Sequence, residues 1–483
     1  MTFVRHVGVK NTLIFASIVL GGCAGSIRPI ATAPAPTDVS RTTAPPRSNL
    51  PPLELPPDSV DGSATVQVAD VPATVLPTII GHRTIAPAPN SRPVGGVSRE
   101  DHDQSVRIAL ATARSSARLY ATGEWAVYDG ASGSLLATLH AGDSFSVEAR
   151  DGVLVTSGVT LPATKGPLIA RPADATTLIG FDGHRYRGEL AVALASDAVM
   201  VINRVGVESY LRGVVPLEIG TDRTVTESAA VEAQAIAARS YSYTRMDDSR
   251  PFDMVATTGD QVYGGVDAER PLSDAAVRAT HNMVMMYNGK VINAPYHSNS
   301  GGVTASASEV WRSGDEPYLV SVSDRIPGTD HFYGEEAPRF RWTRSIDGDA
   351  LSALLDRYLP QYSSAPRGGV GKLRRIDESG RTASGRIAGL VFTTDRGSFT
   401  VRGSDVRSVL RSSSGEMLPS TLFTFDETKA RNGQVTKLTI HGSGYGHGVG
   451  MDQWGAISRA RAGQDVVTIL RAYYPGTTIG RVI

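Results

Sequence analysis

Residues 207–219 read VESYLRGVVPLEI and residues 227–245 read ESAAVEAQAIAARSYSYTR, and these two stretches decide the fold class. The first predicts a short helix that ends near Val214, because Pro216 disfavours helical geometry for the residue before it. The second predicts a longer helix up to Arg245, because its six alanines favour helix and allow close packing. We expect an α+β protein, with a small β-rich N-terminal part followed by a mixed α/β body that contains this Ala-rich helix and a cleft.

Short strand-like segments, separated by glycine and aspartate, fill the region before these helices. Apolar and polar residues alternate within them, which is typical of half-buried strands. The Asp129-Gly130 pair between two of them favours a hairpin. The predicted strands are Val106–Leu110, Trp125–Tyr128, Leu135–Leu139, Ser144–Val147, Ala388–Thr393 and Lys437–Ile440, and a last helix is predicted near Val466–Tyr473.

The first 22 residues are predicted to be a lipoprotein signal peptide. A basic start is followed by an apolar run, Thr12 to Leu20, that is too short to cross a bilayer as a helix. The run leads to Cys23, the only cysteine of the chain, and this arrangement resembles a bacterial lipobox. We expect an exported protein anchored by a lipid at Cys23, on the outer side of the cytoplasmic membrane or in the periplasm or outer membrane. The alternative is an ordinary signal peptide with an incidental cysteine.

A change in amino-acid composition separates a segment rich in Pro, Ala and Thr from the rest of the chain. Residues 23–104 are rich in Pro, Ala and Thr, and fourteen of the 28 prolines lie between Pro29 and Pro93. Such a segment cannot build a packed core, so we predict a disordered stalk. Residues 105–200 then form the β-rich N-terminal part, and residues 201–483 form the domain that carries the chemistry.

Charge and cysteine content exclude several classes of function. The chain has 48 basic and 48 acidic residues, so its net charge gives no indication of nucleic-acid binding. A single cysteine excludes an intrachain disulfide, and it leaves no Cys-based metal site or Cys nucleophile in the mature body.

Glu218 is the residue most suited to acid–base chemistry. It lies between Leu217 and Ile219, and apolar surroundings raise the pKa of a carboxyl by disfavouring its charged form. A raised pKa is what a general acid for glycosidic cleavage needs near neutral pH. The alternative is an acidic residue at the entrance of the Ala-rich helix, stabilised by the helix dipole.

Three other polar tracts are candidates for ligand binding. Gln234 and Arg239 interrupt the small apolar face of the Ala-rich helix, where they either line a cleft or satisfy buried neighbours. Residues 296–304 form a loop of short polar side chains suited to sugar hydroxyl and N-acetyl groups. In residues 441–451 glycine alternates with other residues, so an extended chain would have one bare face open to close backbone approach.

A metal site formed by His297, His441 and His447 is a weaker alternative, because no carboxylate pattern accompanies these histidines.

Together these tracts resemble the SpoIID/LytB family of bacterial cell-wall proteins. The resemblance covers the chain from about Val106 to its C-terminus and is strongest from Val205 on. The matching segments, in order, are Glu208–Glu218, Glu232–Tyr241, Gln261–Gly265, Tyr296–Gly302, Val310-Trp311, Tyr318-Leu319, Gly446–Ala456 and Tyr473–Thr477.

The resemblance implies a function on peptidoglycan. SpoIID-like members are lytic transglycosylases that cleave glycan strands already stripped of stem peptides, whereas LytB-like members enhance an N-acetylmuramoyl-L-alanine amidase. The catalytic glutamate of the family corresponds to Glu218. Sporulation members can hold zinc through Cys and His, but this chain has no cysteine there, so neither a metal nor another cofactor is expected.

The prediction is therefore a lytic transglycosylase with Glu218 as its single acid/base, which acts on peptidoglycan glycan strands and does not bind nucleic acid. The rival prediction is a non-catalytic glycan-binding protein that works with a cell-wall amidase. The residues expected to line the glycan groove, each with a purely structural role as its alternative, are Tyr210, Gln234, Arg239, Gln261, Tyr263, His297, Ser298, Ser300, His447 and Gln453.

Overall fold

The computed structural model describes residues 28–29, 104–311, 314–412 and 414–482, which belong to one structural unit. The predicted signal peptide, the lipidation site Cys23 and all of the predicted stalk except residues 28–29 and 104 lie outside the described residues. No helix in the described part of the chain is both long and apolar enough to cross a membrane.

The described residues contain many strands and many helices, which confirms the α+β class. The strands are β1 (Arg28–Pro29), β2 (Ser105–Arg114), β3 (Ser116–Ala121), β4 (Trp125–Asp129), β5 (Leu135–Leu139), β6 (Ser144–Arg150), β7 (Val153–Ser157), β8 (Leu168–Pro172), β9 (Ile179–Phe181), β10 (His184–Tyr186), β11 (Glu189–Ala195), β12 (Ala198–Gly206), β13 (Met254–Val255), β14 (Met283–Tyr287), β15 (Lys290–Val291), β16 (Tyr296–His297), β17 (Arg341–Asp347), β18 (Leu373–Glu378), β19 (Gly389–Thr394), β20 (Gly397–Arg402), β21 (Phe423–Lys429), β22 (Val435–Ser443), β23 (Met451–Asp452) and β24 (Thr478–Arg481).

The helices connect and cover these sheets. They are α1 (Val207–Ile219), α2 (Ser228–Arg245), α3 (Pro271–Ala279), α4 (Ala307–Val310), α5 (Gly348–Tyr362), α6 (Asp405–Val409), α7 (Gln453–Arg461) and α8 (Val466–Tyr473), with short 3-10 helices at Val225–Glu227 and Gly265–Ala268.

Two sheets make up the N-terminal part. One has seven strands in the order β13-β2-β12-β11-β8-β4-β5, and the other has five in the order β10-β9-β3-β6-β7. Trp125 and Phe145, one from each sheet, stack in the core with ring centroids 5.5 Å apart. The long strand β12 leads directly into α1, so this β-rich part sets the starting point of the helix that carries Glu218.

Helix α1 is longer than predicted. It continues through Pro216 to Ile219 and ends at Gly220, whose φ of 106° requires glycine and whose N–H donates to the Pro216 carbonyl (3.1 Å). Proline removes only one helical hydrogen bond, that to the Arg212 carbonyl, and burial of the apolar residues around it offsets the loss. The prediction of an end near Val214 was therefore wrong.

A second hydrophobic core, separate from the main one, lies in the C-terminal half. It is built by α5, α6 and the sheets β17-β22-β21 and β18-β19-β20, and its buried residues run from Ile346 to Ile440. The main core resumes after it with β23, α7 and α8. The second core is therefore an insertion in the sequence of the main core, whose residues lie both before Ile346 and after Ile440.

Candidate functional site

Glu218 lies in the last turn of α1, and its half-buried carboxyl reaches the loop before the second 3-10 helix. The Val262 N–H donates to Glu218 Oε1 (2.8 Å), and the Gln453 side chain donates a second hydrogen bond. Burial raises the pKa of Glu218 to about 7, and these two hydrogen bonds oppose the rise. The expected direction of the pKa is confirmed. The helix-entrance alternative is wrong, because Glu218 lies in the last turn of α1 and the Ala-rich helix α2 begins only at Ser228.

Gln453 connects Glu218 to the Ala-rich helix. It is the first residue of α7, and its Nε2 also donates to Gln234 Oε1 (3.3 Å). Gln234 is fully buried, and its own Nε2 has no partner among the described residues. An unpaired buried amide N–H is costly, so the hydrogen-bonding capacity of this buried cluster is not fully satisfied.

Gln261 is the centre of a hydrogen-bond network beside the carboxyl. Its Oε1 accepts from the hydroxyls of Tyr210 and Ser242 (both 3.1 Å), while its Nε2 donates to the Ala238 carbonyl (3.2 Å) and to the Tyr296 hydroxyl oxygen (3.0 Å). The carbonyl can only accept, so the orientation of the amide is unambiguous. The network therefore leaves the proton of the Tyr296 hydroxyl free to donate.

Tyr263 packs against a member of this network, Tyr210. Its hydroxyl donates to Asn203 Oδ1 (2.9 Å), and its ring packs against Tyr210 with centroids 4.8 Å apart. A side chain at Gly213 would lie 2.7 Å from the Tyr263 ring, so glycine is required for this close approach. Tyr263 therefore contacts the Gln261 network through Tyr210.

The Gly-rich tract is extended only as far as Ser443, the end of β22. From Gly444 to Gly450 every second residue is a glycine with positive φ, so the chain is not extended there and does not form the single bare face that an extended chain would have. The predicted close approach is confirmed, because a Cβ at Gly446 would lie 2.8 Å from the Cβ of His297 and one at Gly450 would lie 2.0 Å from the Pro295 carbonyl oxygen.

This contact brings two histidines together. His297 and His447 have ring centroids 5.5 Å apart, and Trp311 packs on the other side of His447 at 5.3 Å. Burial lowers the pKa of both histidines, that of His447 to about 4, so both are neutral at pH 7. The Nε2 of His297 is buried and has no partner in the described part of the chain.

His441 does not join them; its Nδ1 lies 3.2 Å from Thr343 Oγ1 on the neighbouring strand. Within residues 104–311, 314–412 and 414–482, no three His, Cys, Asp or Glu side chains are grouped as a metal site.

Three of the predicted groove residues have other surroundings. Arg239 is fully buried, and its Nε and Nη2 each donate to a carboxylate oxygen of Glu208 (2.7 Å), so it joins α2 to α1. Ser300 is fully buried, and its N–H donates to Asp452 Oδ2 (2.7 Å). Ser298 is half-buried, and its carbonyl accepts from the Trp454 N–H (3.2 Å).

Sequence analysis missed two participants. Tyr296 faces the Glu218 network while its neighbour His297 faces the Gly-rich tract; alternation within a strand was the available signal. Asp452 caps α7 by accepting from the Gly455 N–H (2.8 Å), and an aspartate directly before a helix was the signal there.

Comparisons with known proteins match this region. A family model for the SpoIID family, stage II sporulation protein, matches residues 195–287, which contain Glu218, Gln234 and Gln261. A second model, a domain of unknown function, matches residues 326–450 and so includes the second core.

Three relatives have related sequences over more than half of this chain. The amidase enhancer of Bacillus subtilis (strain 168) is 32% identical over 302 residues, covering 56% of this chain and 40% of the relative. An uncharacterized protein of Brachyspira hyodysenteriae is 31% identical over 336 residues, covering 69% and 81%. Stage II sporulation protein D of B. subtilis is 28% identical over 307 residues, covering 60% and 79%. The chain thus spans two fifths of the amidase enhancer and about four fifths of the other two.

Proposed function

Because this chain belongs to the SpoIID/LytB family and its function is related to the cell wall, we propose that it is a peptidoglycan lytic transglycosylase with Glu218 as its single general acid/base. The observation that carries the proposal is a half-buried carboxyl whose pKa burial raises to about 7, at the edge of a network with unpaired donors.

The reaction needs one carboxyl because the nucleophile belongs to the substrate. Protonated Glu218 donates its proton to the glycosidic oxygen between N-acetylmuramic acid and N-acetylglucosamine as the bond to C1 breaks. The resulting carboxylate takes the proton of the muramoyl 6-hydroxyl while O6 bonds to C1 and forms the 1,6-anhydro ring. No water is consumed, so the second carboxylate of a hydrolase is unnecessary.

The residues around Glu218 favour both halves of this cycle. Burial keeps the proton on Glu218 near neutral pH, so that it can act as an acid. Once the proton has left, the hydrogen bonds from Val262 and Gln453 stabilise the carboxylate. The half-buried Tyr296 hydroxyl, whose proton the Gln261 network leaves free, would donate to a sugar oxygen or an N-acetyl carbonyl.

The test is digestion of peptide-free glycan strands by the wild type and by Glu218→Gln, with the products read by mass spectrometry. Anhydromuramoyl ends should form with the wild type and not with the variant. Glu232→Gln is the matched control, because Glu232 is a half-buried glutamate on α2 whose pKa burial also raises, and it should remain active. Absence of cleavage by the wild type would refute the proposal.

A second candidate function is supported by the name of one relative, amidase enhancer. In that case the chain binds glycan and stimulates an amidase without cleaving the strand. Stimulation of a purified cell-wall amidase by Glu218→Gln as strong as by the wild type, with no anhydro products from either, would favour it.

Export and lipidation at Cys23 complete the proposal. The lipid would hold the folded part near its glycan substrate at the membrane surface. Mass spectrometry of the mature chain should find acyl groups on Cys23, and Cys23→Ser should be recovered without them.

A further inference from the structure

Arg223 lies against the end of the helix that carries Glu218. Its guanidinium fits over Gly220, where a Cβ would lie 2.9 Å from Nη2 and 3.0 Å from Nε. Two apolar residues near it in the chain are exposed, Leu217 at 39% and Val225 at 80%. The surface around this end of α1 is therefore accessible to solvent.

The same guanidinium also contacts the N-terminal turn of α7. It lies over the ring of Trp454, 5.5 Å from the centroid, and Trp454 directly follows Gln453, which donates to Glu218. Arg223 thus contacts both chain segments that hold Glu218, one at Gly220 and one at Trp454.

The charge of Arg223 is only weakly paired among the described residues. Its one ion-pair partner there is Glu227, whose Oε1 lies 3.6 Å from Nη1. Glu227 is already held by Arg461, whose Nε and Nη2 donate to Oε1 at 2.9 and 2.5 Å, and by the Thr224 N–H, which donates to Oε2 at 2.8 Å. The buried Nε of Arg223 has no hydrogen-bond partner in the described part of the chain.

We propose that Arg223 is a specificity-determining residue that binds the free lactyl carboxylate of peptide-free muramic acid. The inference rests on the proposed function, because it assigns a residue to the recognition of that substrate. In an intact strand the lactyl group is an uncharged amide to the stem peptide, whereas removal of the peptide leaves a carboxylate. A guanidinium binds a carboxylate through charge-assisted, often bidentate hydrogen bonds, which an amide cannot reproduce.

The experiment measures binding by isothermal titration calorimetry in a Glu218→Gln background, so that no strand is cleaved. The ligands are peptide-free glycan oligomers, the same oligomers with each lactyl carboxylate converted to a methylamide, and chitotetraose, which has no lactyl group. The background protein should bind the free acid about 10-fold more tightly than the methylamide, and this preference should fall with added salt.

Arg223→Gln should abolish the preference, and Arg223→Lys should keep part of it, since lysine retains the charge without the planar fork. The matched control is Arg357→Gln, which removes an arginine that also lies over an aromatic ring (5.2 Å from the Tyr358 centroid) but in the second core. The control should keep the full preference.

The alternative role of Arg223 is only to stabilise the C-terminus of α1 by its charge. In that case Arg223→Gln lowers the melting temperature and leaves the preference unchanged, which would overturn the inference. Equal binding of all three ligands by the background protein would overturn it too, while leaving the proposed function intact. Failure to bind any of them would overturn both.

Discussion

Glu218 and Asp452 are both carboxyls whose pKa is raised by burial, but only Glu218 has an accessible edge. Asp452 is fully buried, and it accepts from the N–H groups of Ser300 and Gly455. It also lies near a second buried carboxyl, that of Asp324, whose charge raises the pKa of Asp452 further. A raised pKa shows that a carboxyl is costly to ionise, but it does not by itself identify a catalytic group. The carboxyl must also be accessible to a ligand, and a fully buried one such as Asp452 has a structural role.

The largest expected effect is a loss of activity when the carboxyl of Glu218 is replaced. Glu218→Gln should lower kcat by about 10²–10⁴-fold, because the proton donor is lost. Its stability should not decrease, because glutamine keeps the shape of the side chain and removes a buried ionisable group. Rates of anhydromuramoyl formation and urea unfolding curves measure the two quantities. A kcat of Glu218→Gln close to that of the wild type would show that another residue is the general acid.

The next effect should concern stability. Asp452→Ala removes the cap of α7 and leaves two buried N–H groups unpaired, so it should lower the free energy of unfolding by about 2–4 kcal/mol. Asp465→Ala is the control, because Asp465 caps α8 through the Thr468 N–H (2.7 Å) at an exposed position, and its loss should cost about 1 kcal/mol. Equal costs would show that Asp452 is no more than a cap.

The pH dependence should follow Glu218. In the proposed mechanism Glu218 must be protonated, so the rate should fall about tenfold per pH unit above pH 7. The folded state holds this proton more tightly than the unfolded state, so the contribution of Glu218 to the free energy of unfolding decreases as pH rises from 4.5 to about 7. Urea unfolding at several pH values should show a shallower decline for Glu218→Gln than for the wild type; identical slopes would contradict the raised pKa.

The smallest expected effect concerns the hydrogen bond to Glu218 from α7. Gln453→Ala should raise the pKa of Glu218 further and move the alkaline limb of the rate profile upward, because the carboxylate loses a donor. The rate at pH 6 should fall about 2–10-fold. Gln464→Ala is the control, since Gln464 donates to Tyr333 away from Glu218 (3.0 Å). An unchanged pH profile in Gln453→Ala would remove Gln453 from the mechanism.

Sequence patterns predicted the elements that obey local rules. The N-terminal strands, α2 and α8 were found because alternation and alanine content are local signals. The course of α1 through Pro216 was missed because burial of its apolar face overrides the local preference of proline. The second core gave no signal beyond two of its strands, since its packing joins residues far apart in the chain.

The residues of the site were also predicted only in part. Glu218 and the glutamines around it were named from the tracts that contain them, and the structure brings Glu218, Gln453 and Gln234 into one chain of hydrogen bonds. Arg239 was expected in the groove, yet it forms a buried pair with Glu208. Polarity on a helix face cannot distinguish these outcomes, because the partner of a buried charge comes from elsewhere in the chain.

The insertion of the second core into the main one has a consequence for biosynthesis. Glu218 is translated long before Gln453 and Trp454, which complete its surroundings only after the whole second core has been made. A nascent or truncated chain that ends before α7 therefore carries Glu218 but lacks the residues of α7 that contact it. Under the proposed function, this order would make completion of the chain a condition of activity.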